Sequence, residues 1–338
     1  MTSHIFIAGP CAVESKEQVL NTAAQLPADK VTFFRAGLWK PRTSPNSFQG
    51  VGQEGIAWLI EVREKYGLKI ATEVATAEHV RLCRDAGFDA LWIGARTVSD
   101  PFAMQTLCDA LKGYEGFVLV KNPISDDIDL WEGAIQRLQM SGIQKIIAVH
   151  RGIKPSAYQP TELRNNPAWY MAVELCRRLP NIPIVCDPSH ISGKAGLVPL
   201  IAQHAMSLGL DGLMVEVHYQ PDKALSDKEQ QLTPQQFAEM IDTISFRQQS
   251  TAENDLLQLR EQIDSIDNQL WQLIEQRMTI SNQIGEIKRR NDMPVFQPER
   301  YNKILKQRLL WAEQHGINRN LVQTITQILH DASIQRQM

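Results

Sequence analysis

The sequence predicts a parallel (β/α)8 barrel followed by an all-helical unit, and two observations carry this. First, short apolar runs rich in β-branched and aromatic residues recur eight times: Ile5–Ala8, Val31–Phe34, Leu68–Ala71, Ala90–Ile93, Phe117–Val120, Lys145–Val149, Ile182–Val185 and Gly212–Val215. Helical patterns such as Glu54–Tyr66 and Ala168–Leu179 stand between them, and strands alternating with helices pair in parallel. Second, from Asn254 the pattern becomes purely helical. Leu256, Leu259, Ile263, Ile266, Leu270, Leu273 and Ile274 follow at three- and four-residue steps, and no proline interrupts before Pro294. Eight βα units in roughly 240 residues suit a closed barrel. The alternative is an open doubly wound sheet. It usually carries a glycine-rich nucleotide turn after its first strand, and Gly9-Pro10-Cys11 is not one.

A chain of 338 residues is long for one domain. The natural division is a barrel over 1–245, a polar linker over 246–253 and a helical domain over 254–338. The helical domain reads as one helix of about 38 residues, then two shorter ones near 298–315 and 320–337, joined at His315-Gly316-Ile317-Asn318. A net charge of −3 gives no reason to expect non-specific nucleic-acid or membrane binding. Five scattered cysteines, no leader before the first strand and no apolar run near the ~18 residues of a membrane span read as a cytoplasmic protein with free thiols.

Each apolar run ends in a polar residue. In order these are Cys11; Arg35 and Lys40; Glu73; Arg96; Lys121; His150 and Arg151; Asp187 and His190; Glu216 and His218. A barrel brings all eight ends to one mouth, where such enzymes keep their chemistry. Arg35, Lys40, Arg96, Lys121 and Arg151 would aim fixed positive charge at one cavity, which suits a phosphorylated, polyanionic substrate. Cys11, His190, Glu216 and Asp227 offer mixed sulfur, nitrogen and oxygen donors for a divalent metal; the spacing alone is a weak signal, and the alternative for Cys11 is a buried core thiol.

Five ordered motifs narrow this: Gly9-Pro10-Cys11-Ala12-Val13-Glu14, Lys40-Pro41-Arg42-Thr43-Ser44-Pro45, Gly94-Ala95-Arg96, Asp187-Pro188-Ser189-His190 and Ala224-Leu225-Ser226-Asp227. Over roughly residues 3–245 the chain resembles the type I DAHP (3-deoxy-D-arabino-heptulosonate 7-phosphate) synthases, closest to their β subgroup. The resemblance implies condensation of phosphoenolpyruvate with erythrose 4-phosphate, releasing phosphate. It assigns phosphoenolpyruvate to Arg35, Lys40, Gly94, Ala95, Arg96, Lys121 and Arg151, with Lys40 the catalytic candidate. Erythrose 4-phosphate falls to Pro41, Arg42, Thr43 and Ser44. One divalent metal (Mn, Fe, Co or Zn) falls to Cys11, His190, Glu216 and Asp227. The related octulosonate-phosphate synthases carry Lys-Ala-Asn-Arg-Ser-Ser where this chain has its stiff proline turn, which favours the shorter sugar. Asn122-Pro123 and Lys228-Glu229 depart from the subgroup's usual Arg-Gly and Gly-Pro.

On the long helix, Arg277 and Lys288 are three turns apart, roughly 16 Å on one face, and could close on a small dianion. The alternative is a dimerisation arm whose charges are its wet face. Arg260, roughly 25 Å before Arg277, reaches that site only from a partner's antiparallel copy. Through Arg260, Arg277, Lys288, Arg300, Ser333 and Gln337 this region resembles the all-helical chorismate mutases, which implies an intertwined dimer and possible larger assemblies. By that resemblance the arginines meet the carboxylates of chorismate, and Lys288 and Gln337, the catalytic candidates, bond its ether oxygen. Two departures are Gln297 for an aspartate and Tyr301 for a glutamate near the substrate hydroxyl. The combined expectation is a bifunctional enzyme of aromatic biosynthesis, its barrel inhibited by prephenate or chorismate bound at the helical domain. A barrel with a helical sensor or dimer module is the alternative.

Overall fold

The computed structural model describes residues 4–40, 46–155, 162–246 and 253–338. The chain divides into two compact units, Met1–Gln248 and Gln249–Met338. The first is a closed barrel of eight parallel strands in chain order. They are β1 (Ile5–Gly9), β2 (Phe33–Arg35), β3 (Ile70–Val74), β4 (Ala90–Ile93), β5 (Phe117–Lys121), β6 (Ile146–His150), β7 (Ile184–Cys186) and β8 (Gly212–Glu216). β8 closes on β1 with Ile5 opposite Gly212 and Gly9 opposite Glu216.

Several strands start and end later than the apolar runs, because a parallel ladder pairs backbone whatever the side chain carries. Glu73 pairs with Trp92 and Lys121 with Val149, so these charged residues belong to the sheet. The interior of the barrel is filled by Ile7, Phe33, Ala71, Ala90, Trp92, Leu119, Ile147, Val149, Val185 and Met214. Side chains alternate faces along a strand. Two residues beyond an interior position therefore point inward again, at the mouth. Arg35 follows Phe33, Glu73 follows Ala71, Lys121 follows Leu119, Arg151 follows Val149, and Glu216 follows Met214.

His150 has the opposite parity and corrects its placement among the mouth residues. It is fully buried in the helix layer, with Trp131 at 6.1 Å and Trp169 at 5.5 Å, and its Nε2 lies 2.6 Å from the Pro167 carbonyl. Burial pushes its pKa down to about 4. In the unfolded chain the ordinary value near 6.5 returns, so protons bind the unfolded state more readily between these values. The stability contributed by neutral His150 is full above pH 6.5 and is lost as pH falls towards 4, about 3 kcal/mol in all. Urea unfolding of the barrel at pH 7 and pH 4.5 should show a smaller loss in His150→Asn than in the wild type. Equal losses would refute the assignment.

The second unit is a long helix, Glu253–Arg290, followed by Pro298–Gln314 and Arg319–Gln337. The Asn318 side chain accepts from the Leu321 N–H and starts the third helix. Many large apolar residues of the long helix stay exposed, among them Ile263, Ile266, Leu270, Trp271 and Leu273.

Candidate active sites

At the barrel mouth lies a cavity of about 340 Å3. The sequence-predicted residues Lys40, Gly94, Ala95, Arg96, Lys121 and Arg151 line it, as do His190 and Asp227. Pro41, Arg42, Thr43 and Ser44 lie outside the described residues. Arg35 is placed differently from the other cations. It is 1% exposed, its guanidinium donates to Glu216 Oε1 at 3.0 Å, and it lies 4.9 Å over the Trp92 ring. Among the described residues, Arg35 Nε and Nη1 and Arg151 Nε have no hydrogen-bond partner, and all three are buried. Buried donors left over beside a cavity are places for an anion's oxygens. Burial pushes the Arg151 guanidinium down to about 10, which leaves it charged at neutral pH. Burial also presses on the Lys40 ammonium, but attraction from Cys11, Glu73 and Glu216 outweighs it and holds the pKa above its ordinary value.

Cys11, Glu216 and Asp227 bring donor atoms within 4.8 Å of one another. His190 stands beside this group, its Nε2 3.8 Å from Glu216 Oε1 and its Nδ1 2.8 Å from Asp187 Oδ2. A carboxylate behind the far ring nitrogen is the usual way a ligand imidazole is oriented. Burial, helped by Glu216 and Asp227, pushes the Cys11 thiol up to about 12. Two carboxylates and a thiol gathered this closely suit a divalent cation, whose charge would favour the thiolate. Asp227 is held at φ 46°, a left-handed conformation uncommon outside glycine, in a loop that Glu14 pins by accepting the Leu225 N–H at 2.9 Å. The four predicted ligands therefore occupy one corner of the mouth, three of them tightly.

Five residues not assigned a role from the sequence also line the cavity: Ser47, Glu73, Thr97, Ile124 and Arg164. Glu73 accepts from Trp92 Nε1 at 3.0 Å, and a Cβ at Gly94 would stand 2.4 Å from Glu73 Oε1, so glycine there makes room for the carboxylate. Arg164 pairs with Asp227 Oδ1 at 3.2 Å and donates to Gln230 Oε1 at 2.6 Å. Gln230 in turn donates to Glu216 Oε2 at 2.7 Å. Glu73, expected at the mouth as the polar end of the third strand, is there, and parity along β3 turns it inward. Arg164 lies far from any strand end and carries no local signal.

In the helical unit, Lys288 Nζ donates to Gln337 Oε1 at 2.9 Å and to the Val295 carbonyl at 2.5 Å. Arg277 donates to the Leu329 carbonyl at 2.7 Å and to Ser333 Oγ. Lys288, Ser333 and Gln337 are buried, while Arg260 and Arg300 are exposed. The third helix approaches closely because residue 285 is glycine: a Cβ there would lie 2.8 Å from Gln337 Cα. Gly285→Ala gains roughly 1 kcal/mol of helix propensity but incurs overpacking of about 1–3 kcal/mol. The expected net result is a lower melting temperature of the helical unit and a weaker Lys288–Gln337 contact, checked by thermal unfolding.

Residues 2–251 match the model described as DAHP synthetase I family, and residues 259–338 match that of chorismate mutase type II. The chain belongs to the DAHP synthetase I family, with a type II chorismate mutase domain fused behind the barrel. A phospho-2-dehydro-3-deoxyheptonate aldolase of Thermotoga maritima is 35% identical over 235 residues, 70% of this chain and 67% of the relative. A 2-dehydro-3-deoxyphosphooctonate aldolase of Stenotrophomonas maltophilia is 30% identical over 240 residues, 65% of this chain and 82% of that one. Among solved structures, the Thermotoga maritima DAHP synthase superposes with a TM-score of 0.64 at 35% identity, covering 71% of this chain and 67% of that one. The DAHP synthase family is generally dependent on a divalent metal, and no helix among the described residues is long and apolar enough to cross a membrane. The protein is thus a two-domain enzyme of aromatic biosynthesis, with DAHP synthase and chorismate mutase domains.

Proposed function

We propose that the barrel condenses phosphoenolpyruvate with erythrose 4-phosphate, that the helical unit rearranges chorismate to prephenate, and that prephenate held there inhibits the barrel. The observation that carries the barrel reading is the cation-lined cavity with a Cys/Glu/Asp corner. Lys40, Arg96, Lys121 and Arg151 hold the phosphate and carboxylate of phosphoenolpyruvate; Arg35, beneath them, supports Glu216 and offers its free donors to the same anion. The aldose phosphate is assigned to the turn 41–44. Cys11, His190, Glu216 and Asp227 would hold a divalent metal, which would supply Lewis-acid polarisation of the aldehyde. Fixed charges in a walled cavity act without reorganising as the new bond forms, which is the largest effect available to such a site.

Chorismate rearrangement needs no acid, base or nucleophile, only a held conformation and charge placed where the ether oxygen becomes negative. Lys288 and Gln337, already bonded to each other, are positioned for that oxygen. Arg277 and Arg300 would meet the carboxylates, with Ser333 supporting Arg277. The exposed apolar stripe of the long helix favours an antiparallel second copy, which would bring in Arg260. Prephenate is expected to slow condensation by the wild-type chain, and Arg277→Ala is expected to remove both chorismate turnover and that inhibition. Inhibition unchanged in Arg277→Ala would sink the regulatory proposal; chorismate turnover unchanged would sink the mutase site. Absence of wild-type chorismate turnover with inhibition intact would make the helical unit a sensor.

A further inference from the structure

Position 301 carries a tyrosine, and its ring centre lies 4.3 Å from that of His330 on the third helix. Phe296 meets the same imidazole edge-on at 5.8 Å. His330 sits one turn before Ser333 and directly after Leu329, the two residues that take the hydrogen bonds of Arg277. The imidazole is therefore braced by two aromatic rings next to the cations assigned to chorismate. Among the described residues nothing hydrogen-bonds either ring nitrogen, and Asp331 Oδ1 stands 3.9 Å from Nδ1, beyond bonding range. Burial, together with Arg277 and Lys288 and despite Asp331, holds its pKa below the ordinary value. At neutral pH the ring is uncharged, with one nitrogen able to donate and the other to accept.

Chorismate presents two carboxylates, an ether oxygen and one ring hydroxyl. On the proposed reading the carboxylates and ether have partners in Arg277, Arg300, Lys288 and Gln337, whereas position 301, a glutamate near the hydroxyl in the family this region resembles, is a tyrosine here. A buried hydroxyl without a partner costs about 1–3 kcal/mol, enough to matter to turnover. We propose that His330 is a specificity-determining residue of the mutase site, its imidazole braced on Tyr301 and hydrogen-bonded to the ring hydroxyl of chorismate. This rests on reading the helical unit as a working mutase. A neutral ring suits the position because it can bond a hydroxyl without adding charge beside Arg277 and Lys288.

The test measures kcat/KM of the full chain for chorismate and for the analogue bearing hydrogen in place of the ring hydroxyl. The wild type should prefer chorismate, and His330→Phe, which keeps an aromatic ring against Tyr301, should lower chorismate turnover about tenfold while leaving the analogue unchanged. Tyr301→Phe, which keeps the brace and removes only an oxygen, should retain the preference. Equal losses on both substrates in His330→Phe would show a packing role and overturn the inference. A preference abolished in Tyr301→Phe but kept in His330→Phe would hand the contact to the tyrosine, with the same result. A wild type that turns over chorismate without preferring it overturns the inference alone; one that turns over neither overturns the mutase reading with it.

Discussion

Lys288→Ala is expected to lower chorismate turnover about 100- to 1,000-fold while leaving DAHP formation within twofold of the wild type. The ammonium is buried, and its two contacts are neutral acceptors, the Gln337 amide oxygen and the Val295 carbonyl. Among the described residues no carboxylate shares it, so its charge remains available for an oxygen that becomes negative only as the ether bond breaks. An interaction made mainly in the transition state shows in kcat more than in KM. The check is steady-state kinetics on chorismate with both parameters resolved. A rise in KM with kcat preserved would mean that Lys288 merely binds the ground state. Lys288→Arg should recover little, because a planar fork cannot fill the place of a compact point charge bonded to both Gln337 and Val295.

The barrel was legible because its two signals are local: apolar runs mark the strands, and a polar residue marks the end of each. Which polar residues share the cavity was only half legible. Parity separates Arg151, facing in, from His150, packed under Trp131 and Trp169, and it also points Glu73 inward. Arg164 was not legible at all, because its pairing with Asp227 depends on where a loop after β6 returns to the mouth. In the helical unit the three helices follow from periodicity and proline placement. The close approach at Gly285 does not, since a glycine inside a helix looks like a weakness until Gln337 is seen packed on it. Tyr301 read as a loss from sequence alone; the neighbour that gives it a use, His330, is on another helix.

Glu216→Gln should reduce DAHP formation at least 100-fold with chorismate turnover retained, so that each activity serves as the folding control for the other. Glu216 is wholly buried and answers to several partners at once: Arg35 at 3.0 Å, Gln230 at 2.7 Å and His190 at 3.8 Å, with its backbone N–H on Ser189 Oγ at 3.0 Å. Losing a charge from such a group leaves the Arg35 guanidinium buried without compensation, and breaking a buried pair costs about 3–5 kcal/mol. The amide softens that loss, since its oxygen can still accept from Arg35. What the amide cannot do is supply negative charge to the Cys11/Asp227 corner. Outer partners of metal ligands typically change affinity by about 10- to 100-fold, so a direct ligand should exceed that range. Titrating Mn2+ or Cd2+ into chelator-stripped protein by calorimetry reads this without any turnover. Weakened metal binding with a cooperative, near-wild-type melting curve would place Glu216 in the metal site; unchanged affinity would leave it only as the counter-charge that keeps Arg35 buried.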